Sequence, residues 1–418
     1  MGIHYYIACV LSLVPALLTA QSVDVRGEVR TRTEYRDGFK RPIADGATPA
    51  AISLLRTRLG MDYSIDRVHT RVTVQDSRVY GQTATSDAQN SLGIFEAWGR
   101  FDVTRALSVT LGRQAIGYDD NRLFTSANWS QNGRAHDLLL LKYENPYLIN
   151  IHLGGAWGNE GDVESDRPNI NINSYKSLVY LWIGRSFARG AISAIWTGDS
   201  HDVSPSGVIG SLRVYRYTTG GNARADLFDK SLAIHAAAYM QYGKDTENMP
   251  LSAYMASTDI RYGYTKALTV TAGADFFSGS TGNDAAKGIN KTFNKLYGSN
   301  NSFNGIMEYW TTPPGEGLSD LWAGLSVRPA AKIEAAASFH AFSIVKERPG
   351  AASKGIGSEM DISFGYSYSP QLTIEGGWSL YMANRLTYTL KGMELGGSRA
   401  LMQWGYVTIT FFPSWTAG

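Results

Sequence analysis

Between residues 23 and 36 the chain alternates two faces without a break. Val23, Val25, Gly27, Val29, Thr31, Thr33 and Tyr35 take one set of positions; Asp24, Arg26, Glu28, Arg30, Arg32, Glu34 and Arg36 take the other. Successive side chains of a strand point to opposite sides, so this is a strand with one apolar face and one wholly ionised face. A soluble sandwich also yields such alternation. What separates the two is how often and how long the pattern runs. Leu55, Thr57, Leu59, Met61, Tyr63 and Ile65 alternate with Arg56, Arg58, Gly60, Asp62 and Ser64, and Val68–Val74 with His69, Arg71 and Thr73. Phe95, Ala97, Gly99 and Phe101 alternate with Glu96, Trp98, Arg100 and Asp102. Runs around 150, 270 and 362 do the same. Segments of ~10 residues or more suit a tilted strand crossing a bilayer, whereas soluble strands usually span ~5–6 residues.

The connections alternate as well. Short turns fall near 66–67, 104, 145–146, 188–189, 265–266, 329–330 and 369–370, with a longer one at 220–229. Long polar stretches cover 37–51, 81–91, 117–133, 158–174, 199–207, 243–251, 279–318, 346–357 and 383–400. Eight turns and nine loops join 18 strands, with 16 as the alternative. Short turns at one end and long loops at the other are the signature of a transmembrane antiparallel up-and-down β-barrel, with turns in the periplasm and loops outside. Mean hydropathy of −0.19 fits a wall that is apolar outside and polar inside. So do 24 Tyr, 10 Trp and 44 Gly.

Residues 1–20 carry no Asp, Glu, Lys or Arg and end in Leu18-Thr19-Ala20. They read as a secretory signal cleaved after Ala20, with an N-terminal membrane anchor as the alternative. Residues 21–418 then form one barrel domain in the bacterial outer membrane. The single Cys, Cys9, lies in the leader, which excludes disulfides and thiolate metal sites from the exported chain. The near-neutral net charge of +2 offers nothing to nucleic acid. No hydrolase elbow, zinc helix or phosphate loop is present, so neither an enzyme nor a cofactor is expected.

If the apolar face meets lipid, the charged face lines the lumen. Arg26, Arg30, Arg32, Arg56, Arg58, Arg71 and Arg100 come from sequential strands and form one basic sector. Arg113, Arg122 and Arg134 follow near its outer end. A guanidinium matches the two oxygens of a carboxylate and stays charged. Glu28, Glu34, Asp62, Glu96 and Asp102 would hold the arginines extended and moderate the field. The alternative is a charge ladder that only stiffens the barrel. Asp119, Asp120 and Asp137 beside Arg122 and Arg134 either pin the 117–133 loop inward as a constriction or sit in a solvated loop. Lys287, Lys291 and Lys295, spaced by four, would share one face of a short helix, or belong to a solvated turn.

The stretch from 112 to 137 resembles the alginate export family of outer-membrane barrels. The resemblance rests on Gly112, Arg113, Gln114, Tyr118, Asp119, Arg122, Leu123, Trp129, Arg134 and Asp137 in order. Thr292 to Gly298, with Phe303-Asn304-Gly305 and Glu308-Tyr309, is similar to the family's long-loop motif. It departs at Ser299–Ser302 and Glu308, where the family has Pro, His, Lys and Asp. The last strand, 402–412, is followed by Pro413 and five more residues rather than ending on an aromatic. The resemblance implies an outer-membrane channel for a uronate-type polysaccharide or oligosaccharide, embedded in outer-membrane lipid and served by periplasmic export components. Gln114, Tyr118, Asp119 and Asp137 would position its loop. A porin for small anionic solutes and a non-conducting structural or adhesive barrel are the alternatives.

Overall fold

The computed structural model describes residues 21–82, 91–158, 175–203, 212–393 and 400–417. The expected signal peptide lies outside the described residues, as do most or part of the loops expected at 81–91, 158–174, 199–207 and 383–400. The strands are β1 (Gln21–Asp37), β2 (Ala50–Ile65), β3 (Val68–Val79), β4 (Gly93–Asp102), β5 (Leu107–Gln114) and β6 (His136–Glu144). Next come β7 (Asn150–Trp157), β8 (Ser177–Phe187), β9 (Gly190–Val203), β10 (Leu212–Leu227), β11 (Leu232–Lys244) and β12 (Pro250–Gly263). Then follow β13 (Leu268–Phe277), β14 (Leu318–Ala330), β15 (Ile333–Ser343), β16 (Gly355–Ser369), β17 (Leu372–Met382) and β18 (Leu401–Phe411). Each pairs antiparallel with the next. β18 returns to β1, with Val29 opposite Phe411 and Asp37 opposite Gln403. Eighteen strands thus close one barrel and leave no row of unpaired backbone groups to face lipid.

The wall is apolar outward. Leu59, Met61, Leu111, Ile192, Leu321 and Ile362 are exposed, while Glu28, Arg30, Arg32, Arg56, Asp199, Asp275, Asp320 and Glu359 are buried. Exposed rings gather at both rims. Phe187, Phe228, Tyr262, Tyr264 and Tyr368 lie near the short turns, and Tyr80, Trp157, Tyr215, Tyr242 and Tyr254 near the long loops. Such girdles sit at the two membrane interfaces.

Several boundaries differ from the sequence expectation. Gly220 and Gly221 read as a turn but lie inside β10. A Cβ at Gly220 would stand 2.1 Å from Ala238 O, and one at Gly221 2.7 Å from Ser193 O. These glycines admit a close approach of neighbouring strands rather than a reversal; the turn comes at Phe228–Lys230. β9 runs on to Val203, so its loop also starts later. Phe95, expected outward, is turned inward by a bulge where the β3–β4 register shifts between Thr73 and Val74. The helices α1 (Gly282–Ala286) and α2 (Arg385–Leu390) are short and capped by Thr281 and Asn384. α1 ends before Lys287, so the three lysines share no helix face. Lys291 pairs instead with Asp284 at 2.7 Å, and Lys295 bonds Asn304. No helix among the described residues is long and apolar enough to span a membrane.

The chain end continues the wall. Pro413 has no N–H, so the ladder breaks there and resumes as β19 (Ser414–Ala417), paired with Val23–Arg26 of β1. Gly27 N–H donates to Pro413 O at 2.7 Å. A Cβ on Gly27 would lie 2.6 Å from the proline ring.

Candidate functional site

The lumen is narrowed by two loops that fold inward. Between β5 and β6, Ile116, Tyr118, Leu123 and Phe124 are buried against Leu138, Leu140, Leu178 and Tyr180. Two inward leucines on β6 exist because this loop covers them. Between β13 and β14, Phe293, Met307, Tyr309 and Trp310 are buried in the same cluster. The loops also touch each other. Phe124 and Tyr297 form a backbone bridge, Thr125 N–H donates to Tyr297 O at 3.1 Å, and Arg134 donates to the carbonyls of Tyr297 and Gly298.

The motif residues from Gln114 to Arg134 therefore build the constriction. The Tyr118 hydroxyl lies 3.1 Å from that of Tyr180 and 3.2 Å from His152 Nδ1; burial raises its pKa. Asp119 accepts from Trp182 Nε1 at 3.0 Å and Ser193 Oγ at 2.6 Å. Burial raises its carboxyl as well. Gln114 donates to Leu138 O at 3.2 Å, tying the end of β5 to β6. Arg122 reaches Asp120 at 2.7 Å and the wall carboxylate Asp275 at 2.8 Å, with the Phe303 ring 3.9 Å from its guanidinium. Burial opposes that charge, but Asp275 and Asp120 hold its pKa above the ordinary value. Arg122 is thus a tie between loop and wall rather than an open pathway side chain.

Four wall arginines grip the tip of the first loop. Arg30 donates to Asn128 O at 2.9 Å, Trp129 O at 3.2 Å and Ser130 O at 2.8 Å. Arg32 donates to Trp129 O at 3.0 Å and lies 3.8 Å from the Trp129 ring. Arg56 donates to Asn128 O and Ser130 O, both at 2.9 Å. Arg58 donates to Asn128 Oδ1 at 2.6 Å and Asn132 O at 3.3 Å, and stacks on Phe95 at 3.8 Å. In this quartet only Arg56 has a carboxylate within ion-pair distance among the described residues, Glu28 at 2.6 Å.

Below them, toward the short turns, the charges pair off. Arg26 meets Asp62 at 2.8 Å, Arg71 meets Asp62 at 2.5 Å and Glu96 at 3.6 Å, and Arg100 meets Asp102 at 3.0 Å. Beyond β18, β13–β17 present small side chains, among them Gly273, Gly324, Ala336, Ser338, Ser363 and Gly377. A cavity of 770 Å³ opens along this wall, bordered by Arg328, Glu334, Glu375 and Tyr406. Free space therefore lies beside the charged sector, past the closing seam, at its short-turn end.

Two expected residues are elsewhere. Arg113 is not in the pathway. β5 continues to Gln114, and its alternation sends Arg113 outward with Val109 and Leu111. There it pairs with Asp137, its neighbour across β6, at 2.8 Å. Asp137 is likewise an outer-face residue and positions no lumenal loop. Sequence reading passed over Arg216 and gave Lys295 only a short-helix face or a solvated turn. Arg216, inward on β10, bonds Asp199 at 3.1 and 2.5 Å, and Tyr297 donates to the same carboxylate. Both line an outer cavity of 390 Å³. A packing void of 10 Å³ lies where the loops meet the wall, lined by Arg122, Leu123, Met255, Phe293, Lys295 and Phe303. Below Arg122 an inner cavity of 420 Å³ is bordered by Asp119, Asp120, Trp182, Asn222, His235 and Asp259. The parity of β10 was the signal for Arg216, hidden by the misplaced turn. Among the described residues no group of three or more His, Cys, Asp or Glu is arranged to hold a metal.

The profile of a family described as alginate export matches residues 21–383. No curated protein matches the chain. Solved barrels share its fold at low identity. Pseudomonas aeruginosa OpdO superposes with a TM-score of 0.64 at 13% identity, covering 95% of this chain and 98% of OpdO. Pseudomonas aeruginosa OccK1 (OpdK) gives 0.62 at 10%, covering 94% and 99%. Acinetobacter baumannii OccAB1 gives 0.62 at 11%, covering 94% and 96%.

Proposed function

Because the chain belongs to the alginate export family, we propose that this outer-membrane channel passes acidic saccharides of uronate type, up to short-oligomer size, by passive diffusion. The observation that carries this reading is the level of the narrowing, where Arg30, Arg32, Arg56 and Arg58 face one ion-paired carboxylate, Glu28. A fixed excess of positive charge in a narrow, low-dielectric passage concentrates anions and repels cations. The guanidinium edge suits a carboxylate in particular. The paired arginines below the cluster supply weaker, successive contacts, which suit conduction better than one deep trap. The size limit follows from the two inward loops, which meet at Phe124 and Tyr297.

A second reading has a specific support. A small anionic solute would need no loop movement, and one structural neighbour, Pseudomonas aeruginosa OpdK, was solved with vanillate. Passage of a polymer, favoured by the family, would require the first loop's tip to leave the lumen.

The test is single-channel conductance of refolded residues 21–418 in a planar bilayer with a salt gradient. The expected reversal potential has the sign of anion preference, Arg58→Gln weakens it, and an oligouronate blocks the current more than a neutral oligosaccharide of equal length. A cation preference would overturn the reading. Block by a single-ring carboxylate but not by oligouronates would select the small-solute reading.

A further inference from the structure

The four-arginine cluster is already full, and what fills it is unusual. Its partners on the loop tip are backbone carbonyls and two side-chain amides: Asn128 O, Trp129 O, Ser130 O, Asn132 O, Asn128 Oδ1 and Gln131 Oε1. All are neutral. Among the described residues Arg30 Nε is buried with no hydrogen-bond partner. Guanidinium groups bond an ionised oxygen more strongly than a neutral carbonyl, in the same planar, bidentate geometry. Residues 128–132 therefore present a row of oxygens where a polyvalent anion would present charged ones.

The tip is also built to leave by itself. Arg134 N–H donates to Ser126 O at 2.6 Å and closes the base of a small turn. Ala127 and Gly133, just inside that base, have φ of +46° and +72°. A left-handed alanine carries strain that another conformation relieves. Beyond the base the loop is fixed by Arg122 on Asp275, Thr125 on Tyr297 and Arg134 on Gly298. Besides the arginines, the tip is tied by Gln131 Nε2 to Leu55 O at 2.7 Å, by Ser77 Oγ to Gln131 O at 3.3 Å, and by the edge contact of Trp129 on Tyr406. Arg58 is only partly buried, whereas Arg30, Arg32 and Arg56 are buried beneath the tip. An arriving anion would meet Arg58 first.

Building on the anion-channel reading, we propose that Arg30, Arg32, Arg56 and Arg58 form a site for a multivalent oxyanion, that residues 127–133 occupy it as an internal stand-in, and that such an anion opens the passage by displacing them. A monovalent ion replaces too few of these bonds to do so; a chain of carboxylates replaces them stepwise. The ligand thus operates its own gate.

The test places the sole thiol of refolded residues 21–418 on the tip as Ser130→Cys, since Cys9 precedes them. The substitution keeps the Ser130 carbonyl. Labelling by a polar thiol reagent is followed in chloride, in sulfate and in a triuronate at matched ionic strength. The triuronate should speed labelling by roughly 5–150-fold, the usual range for a ligand coupled to a two-state element, with sulfate intermediate. Adding Arg30→Gln and Arg56→Gln should make labelling fast in chloride and insensitive to anion. If that variant does not fold, the single-thiol series decides alone. Equal rates in all three salts would overturn the proposal, because screening alone would then govern the tip. The reversal potential of the same Ser130→Cys barrel separates the two claims. Anion preference with unchanged labelling leaves the channel reading and removes the gate; cation preference removes the channel reading itself.

Discussion

At the scale of single residues, parity decides chemistry. Arg30 and Arg113 look equivalent in the sequence, yet one step of alternation puts the first in the lumen and the second on the outer face. Arg113→Ala should therefore leave ion selectivity unchanged in the bilayer measurement, unlike Arg58→Gln. A shifted reversal potential for Arg113→Ala would show that its face is misassigned. Lys295 makes a second prediction. Burial, against the pull of Asp275, brings its ammonium down to about 7. It loses its charge as pH rises through that value, so anion preference should fall between pH of about 6 and 8. Lys295→Met should abolish that step and start from the lower preference. The linked stability has a definite sign. The unfolded lysine keeps its proton up to its ordinary value of 10.5, so it binds more protons than the folded one above about 7. Stability from this group should rise with pH across that window. A selectivity step at pH 7 that survives Lys295→Met would assign it to another group.

At the scale of elements, the closing seam is interrupted by a proline. β18 pairs directly with β1 and β19 takes over beyond Pro413, where the wall holds because Gly27 leaves room for the proline ring and donates to its carbonyl. Gly27→Val should cost about 1–3 kcal/mol by overpacking, read as a lower unfolding temperature by circular dichroism in detergent. An unchanged transition would mean that β19 contributes nothing to closure. The 112–137 motif was legible as one long loop between two strands because β5 and β6 alternate on either side of it. Its inward fold was not settled by the residues alone, since Asp119, Asp120 and Arg122 suit a solvated loop equally well. The partners that settle it, Trp182, Ser193 and Asp275, come from β8, β9 and β13.

At the scale of the molecule, the barrel is a wall with two loops packed inside it, and the packing is partly ionic. Arg122 and Asp275 join loop to wall with almost no solvent on either side chain. Removing one member of such a pair strands the other. Arg122→Ala should destabilise by ~3–5 kcal/mol and also raise single-channel conductance by loosening the loop's hold on the wall. Normal stability with normal conductance would show that the loops are held by their apolar cluster alone. The asymmetry of the lumen also belongs to this scale. Charged strands β1–β4 and small-residue strands β13–β17 flank the closing seam, which directs the free volume to one side.

The sequence by itself determined the class of fold. Period-two alternation, strand length and the rhythm of turns and loops are local properties, and a closed sheet in lipid is the one arrangement that satisfies them all. It also determined which residues of β1–β4 carry the lumenal charge. The tertiary structure alone decided what those charges meet. Arg30 and Asn128 are 98 positions apart, and Arg122 and Asp275 are 153 apart. No periodicity encodes such pairs, because they depend on which strand a loop crosses once the barrel has closed. For the same reason the narrowing and the occupied arginine cluster belong to the tertiary structure, where the loops lie inside the wall.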